Sequence, residues 1–268
     1  MAPTPPNELP VLLAPRGFGE TSRRDAWWAT PLAVFLLLGA FVVYSTWAAL
    51  QGEHYWWGPY LSPFYSPELF GASYHAWLGP RPAWWPEGLL FSPAILILWA
   101  PGGFRLTCYY YRKAYYRSLF WTPPACAVGG RPQKYRGERA ILIFQNLHRF
   151  FLYPSLALVV ILSFDAILAY DFDGRFGIGA GSLVLTLNAF FLMGFTLGCN
   201  SFRHLVGGNV DCYSCVTFGQ QRYQAWRLST WLNKNHMAWA WISLFWVGFT
   251  DLYVRLVSMG VITDLRLY

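Results

Sequence analysis

Residues 196–215 read TLGCNSFRHLVGGNVDCYSC, placing three cysteines and a histidine within twenty positions. Cys212 and Cys215 form a C-x₂-C pair, a spacing at which two thiolates grip one metal ion. His204 precedes the pair, His236 heads the next apolar run, and His148 heads another in FQNLHRFF. Two thiolates with two imidazoles support two inorganic chemistries. A tetrahedral Cys₂His₂ set suits a structural zinc. The same donors, split between two irons, suit a Rieske-type 2Fe–2S centre, whose histidines raise its reduction potential. Cys199 lies within an apolar helix and Cys108 and Cys126 stand alone, so each of these three reads first as a packed side chain.

The elements that must position these groups are membrane spans. Of 268 residues, 55% are hydrophobic and 12% charged, against roughly 25% charged in soluble domains. Long apolar runs account for the deficit, which predicts an all-α integral membrane protein. Five spans of about 26–50, 89–106, 150–169, 178–204 and 237–261 form one transmembrane domain over 26–268. Pro93 and Pro101 predict a kink in the second. Residues 1–25 form a Pro-rich arm whose apolar run is too short for a signal-peptide core. The segment 105–139 carries eight Lys/Arg against one Glu, and its first half predicts an interfacial helix after the second span.

Most cations fall on one side of this topology. The positive-inside rule then places the N-terminus in the cytoplasm and the C-terminus outside a multi-pass plasma-membrane protein. The net charge of +7 thus sets orientation, and no nucleic-acid partner is implied. All five cysteines and three of the five histidines (His148, His204, His236) land at the cytoplasmic face. Gln145 and Arg149 share a polar helical face with His148. On the fifth span, His236 begins a stripe of Ala240, Ser243, Val247, Thr250 and Val254, a bundle-facing seam. Spans one and two contain no histidine, and none lies deep in the others, which disfavours bis-histidine haem b. A transporter would carry paired broken helices and midplane charges, whereas Asn188 is essentially the one strongly polar midplane residue.

LHRFFLY at the head of the third span resembles the LHR opening of an anchor helix in succinate dehydrogenases, and NSFRHL resembles the GIRHL motif ending the following one. FRLTCYYYRKAYYRSLFWTPPACAV and DLYVRLVSMG resemble the cysteine-containing anchor subunit of actinobacterial succinate dehydrogenases, over roughly residue 104 to the C-terminus. That family's anchor docks a flavoprotein and an iron–sulfur subunit and passes their electrons to quinone. By this resemblance His148 and Arg149 match its HR pair and Arg203 and His204 its RH pair, near the quinone. The haem-ligating histidine seven residues before His204 is replaced by Leu197, which again argues against haem b.

The combined expectation is a 2Fe–2S centre in place of haem, held by Cys212, Cys215, His204 and His236, with His148 as the reserve imidazole and Cys199 as the reserve thiolate. Gln145, His148, Arg149 and Arg203 are the expected quinone contacts. The basic helix 112–117 faces the soluble partner or anionic membrane lipid. The alternatives are a haem b anchor of the same family and a membrane protein with a structural zinc site.

Overall fold

The computed structural model describes residues 17–88, 90–131 and 139–267. Residues 1–16 of the predicted arm lie outside them. Among the described residues, four helices are long and apolar enough to cross a membrane. They are α1 (Ala29–Gln51), the stretch Gln145–Leu168 of α4 (Arg139–Leu168), α5 (Ala180–Leu197) and α8 (His236–Ser258).

The predicted span 89–106 is not a continuous helix. A 3₁₀ turn, Pro93–Leu96, is followed by α2 (Trp99–Thr107), only nine residues long. At 1.5 Å per residue α2 covers about 14 Å, half the hydrocarbon core. Pro93 opens the 3₁₀ turn, and Pro101, Gly102 and Gly103 are poor helix formers. Cys108 is then extended (φ −64°, ψ 135°) before α3 (Tyr109–Ser118), the helix predicted as interfacial. The predicted span 178–204 stops at Leu197. Gly198 caps α5, Cys199 is extended, and a four-residue helix, α6 (Asn200–Arg203), runs into a π turn over His204–Gly208. A further helix, α7 (Gly219–Lys234), fills a stretch that reads as loop in sequence. Three antiparallel ribbons of two-residue strands complete the structure: β1–β2 (Trp56–Trp57, Tyr60–Leu61), β3–β4 (Asp171–Phe172, Arg175–Phe176) and β5–β6 (Ile178–Gly179, Arg266–Leu267).

The chain divides into two compact units, Met1–Gly39 with Arg112–Gly137, and Ala40–Tyr111 with Glu138–Tyr268. In the first, the segment after residue 16 zips onto the loop before residue 131. Gly19 N–H donates to Gly129 O and Gly129 N–H to Glu20 O, both at 2.8 Å, and Arg23 Nη1 donates to Cys126 O at 2.9 Å. Gly129 is required here, because a Cβ would lie 1.7 Å from the Gly17 carbonyl oxygen.

In the second unit α5 packs between α4 and α8, and α2 packs on α4. The predicted seam on α8 is buried at every position: Ala240, Ser243, Val247, Thr250 and Val254. Toward the other end of α8, Arg255 (2% exposed) and Asp251 (0%) form a buried ion pair at 2.8 Å. Arg255 also donates to Gln51 Oε1 and to the Glu53 and Ala48 carbonyls, tying α8 to the end of α1, while Tyr44 and Ser62 donate to Asp251. Asp264 caps α5 by accepting from Gly181 N–H at 3.0 Å and from Tyr60 and Tyr253.

Candidate functional site

Two breaks and two helix starts deliver the site. Cys108 sits on the extended residue between α2 and α3, and Cys199 on the extended residue between α5 and α6. His148 lies three residues into the apolar stretch of α4, and His236 is the first residue of α8. All four are buried, at 2%, 2%, 8% and 4% exposure, and all line one cavity of about 590 Å³.

The four donors form two couples. His148 Nε2 lies 3.1 Å from Cys199 Sγ, and His236 Nε2 lies 4.0 Å from Cys108 Sγ. The tautomer of His148 follows from its other nitrogen. Thr107 Oγ1 donates to the Gly103 carbonyl at 2.7 Å and stands 3.0 Å from His148 Nδ1. With the hydroxyl proton committed, Nδ1–H donates to Thr107, and the lone pair on Nε2 faces the thiol. His236 Nδ1 is buried without a hydrogen-bond partner. Cys199 Sγ accepts from Ser201 N–H, and burial pushes its thiol up to about 11. At neutral pH it is therefore uncharged. Aromatic rings clamp both imidazoles. Phe104 stacks on His148 at 4.3 Å, and Phe195 on His236 at 5.1 Å.

The cavity holds a different group of Cys and His side chains from the one the sequence suggests. Cys212 and Cys215 are joined as a disulfide on a 3₁₀ turn (Tyr213–Cys215) and do not line the cavity. Their sulfurs are committed to each other, so they are unavailable as thiolate ligands. His204 lines the cavity but is exposed on the π turn, and no donor couple includes it. The cavity brings together His236, the reserve residues His148 and Cys199, and Cys108, which reads as packing in sequence. Cys126 is exposed in the other unit. Gln145 and Arg149 are exposed residues at the cavity's rim, whereas Arg203, half-buried on α6, is not among its described lining. Among the described residues, no three His, Cys, Asp or Glu side chains converge tightly enough to hold one metal ion.

The family model described as actinobacterial succinate dehydrogenase subunit SdhC matches residues 29–260. Among solved structures, the chain is similar to one in the Mycobacterium smegmatis Sdh1 complex in the apo form, with 42% sequence identity and a TM-score of 0.82. That match covers 92% of this chain and 94% of the other. No curated protein matches.

Proposed function

The chain belongs to the actinobacterial succinate dehydrogenase SdhC family, and from that premise we propose that it is the membrane anchor through which electrons from succinate reach quinone. It docks the soluble flavoprotein and iron–sulfur subunits at the cytoplasmic end of its spans, in the plasma membrane, with the N-terminus inside and the C-terminus outside. Cys108, His148, Cys199 and His236 hold a 2Fe–2S centre there.

One observation carries this reading: two thiols and two imidazoles, all buried, meet on one cavity from four separate chain segments. The donor types fit the group, since soft thiolates with imidazoles select iron–sulfur centres or zinc over hard cations. The orphaned His236 Nδ1 adds to the argument. A dry, unpaired polar group costs about 1–3 kcal/mol, an expense expected where the side chain serves something outside the chain. When bound, the centre supplies one-electron transfer at a potential raised by its histidines.

The chain's own residues do the rest. Thr107 holds His148 in the tautomer that presents Nε2. Phe104 and Phe195 stack on the two imidazoles and fix their planes. At the rim, Gln145, Arg149 and His204 offer donors to a quinone carbonyl, and an imidazole N–H such as His236 Nδ1 is a proton source for the oxygen it faces. Arg203, on the short helix that ends at His204, adds a cation on the same chain segment. The cations of α3, Arg112, Lys113 and Arg117, suit an acidic face of the soluble subunits or anionic lipid headgroups.

The test is low-temperature EPR with iron quantification on the purified complex. Cys108→Ser, Cys199→Ser, His148→Ala and His236→Ala each lose two irons per complex and one reducible signal, whereas the Cys212→Ser/Cys215→Ser double variant and His204→Ala keep both. Full iron in Cys108→Ser, stoichiometric zinc in its place, or a haem absorption band assigned to this chain overturns the reading.

A further inference from the structure

The disulfide between Cys212 and Cys215 has no part in the function proposed above. It closes a turn across a sequence separation of 3, and so short a loop is where a cross-link restricts the unfolded chain least. Cys215 is exposed and Cys212 half-buried, so one sulfur faces an incoming group. Ser214 Oγ lies 3.3 Å from Cys212 Sγ. A disulfide sulfur has no proton to give, so the hydroxyl donates. That contact favours the departure of Cys212 as a thiolate when Cys215 is attacked. Val216 and Phe218, which follow Cys215, are exposed apolar side chains on which a partner can settle.

The turn also braces the rim of the donor cavity. Tyr213 Oη donates to Gly207 O at 2.8 Å, inside the π turn that begins with the rim residue His204. On its other side the turn presses on the start of α7, where a Cβ at Gly219 would lie 1.6 Å from the Tyr213 carbonyl oxygen. Phe218, just before it, takes left-handed backbone (φ 58°), an uncommon conformation for a bulky side chain. Within the turn, the disulfide is backed by the Cys215 N–H to Cys212 O hydrogen bond at 3.2 Å, while Cys212 and Val216 are both extended. The sulfur–sulfur bond is therefore the latch that keeps Tyr213 in place.

We propose that Cys212 and Cys215 are a thiol–disulfide exchange site served by a soluble dithiol protein, and that their redox state sets the order of the π turn His204–Gly208. A thiolate of the partner attacks Cys215 Sγ, the Cys212–Cys215 bond breaks, and Cys212 leaves as a thiolate. The partner's second thiolate then attacks the mixed disulfide and releases Cys215. Two electrons pass to this chain, the partner ends as a disulfide, and the two protons it loses to water are regained at Cys212 and Cys215. Oxidation by the partner's disulfide form runs the same steps backwards. With the latch open, Tyr213 is freed and the Gly207 carbonyl loses its donor. The proposal rests on the reading that this end of the bundle is cytoplasmic, where exposed disulfides exchange and do not persist.

The experiment takes sealed membrane vesicles of both orientations holding the full complex. They are equilibrated with the oxidised and then the reduced form of a thioredoxin-class dithiol protein, alkylated with a membrane-impermeant maleimide and mapped by peptide mass spectrometry. In inside-out vesicles both Cys212 and Cys215 should be labelled after the reduced form and neither after the oxidised form. A partner lacking its second cysteine should be trapped on Cys215. In nanodiscs, hydrogen exchange at the Asn209 and Val210 amides, which donate to the His204 and Gly207 carbonyls, should rise about 2–10-fold on reduction, the worth of one hydrogen bond. The Cys212→Ser/Cys215→Ser variant should show the faster exchange with no response to dithiol, and Tyr213→Phe should show it with the disulfide intact. Label after the oxidised form, a disulfide that the dithiol leaves closed, or zinc held by the reduced pair overturns the exchange site and leaves the anchor reading intact. Reduction with unchanged exchange at 209 and 210 overturns the coupling to the π turn alone. Label confined to right-side-out vesicles overturns the exchange site together with the proposed orientation.

Discussion

Arg255 is the side chain whose removal the structure prices most clearly. Its guanidinium is 2% exposed and meets four acceptors: Asp251 at 2.8 Å, Gln51 at 2.9 Å, and the Glu53 and Ala48 carbonyls at 2.8 and 2.7 Å. Arg255→Met preserves much of the volume but leaves the Asp251 carboxylate with only the Tyr44 and Ser62 donors named above. Breaking a buried pair from one side costs about 3–5 kcal/mol, because the remaining charge is uncompensated. Asp251→Leu should cost a similar amount by stranding the cation. The double variant removes both charges together, so its cost should fall short of the sum of the singles by at least about 1 kcal/mol. Its remaining loss comes from the orphaned carbonyls and hydroxyls, about 1–3 kcal/mol each when dry. Equilibrium unfolding in mixed micelles, read by the fluorescence of the chain's 15 tryptophans, measures all three variants. Single variants within about 0.5 kcal/mol of wild type, the range of an ordinary surface change, would refute the argument, as would strict additivity.

Thr107→Val removes the acceptor of His148 Nδ1–H without touching a donor atom, and loss of such a partner typically weakens metal affinity 10–100-fold; iron retention during chelator challenge should fall accordingly, while the helix content by circular dichroism stays unchanged. Gly129→Ala forces a Cβ to within 1.7 Å of the Gly17 carbonyl oxygen, so limited trypsinolysis should cut faster at Arg23 and Arg24, and an unchanged cleavage rate would count against the zipped arm. Asp264→Ala strips the α5 N-terminus of its carboxylate cap, a loss of about 1–2 kcal/mol, measured in the same micelle unfolding. Asp264→Asn should recover part of it.

Helices α4, α5 and α8 were legible because long apolar runs have few alternatives in a bilayer, and the α8 seam was legible from its 3.6-residue period. The second span was not, because hydropathy averages over Pro93, Pro101 and two glycines, whereas the backbone responds to each. Helix α7 escaped because its polar sequence, GQQRYQAWRLSTWLNK, carries no strong apolar stripe. For the site, C-x₂-C drew attention as a local pattern, yet at that separation two thiols also reach each other. The signal for the buried cavity set was positional. Cys108 closes the second apolar segment and Cys199 the fourth, while His148 opens the third and His236 the fifth, so one donor stands at each of four neighbouring ends. The pair Asp251 and Arg255, four apart on a membrane helix, was equally visible in sequence and marks the opposite end of the same bundle.

Because the donors come from four segments, with His236 on the last helix, the set is incomplete until nearly the whole chain has been synthesised and inserted. A ribosome-bound or truncated intermediate presents at most three of them. Loading of the proposed centre would therefore report a finished bundle, and an iron-free chain in the membrane would mark a stalled or misinserted one.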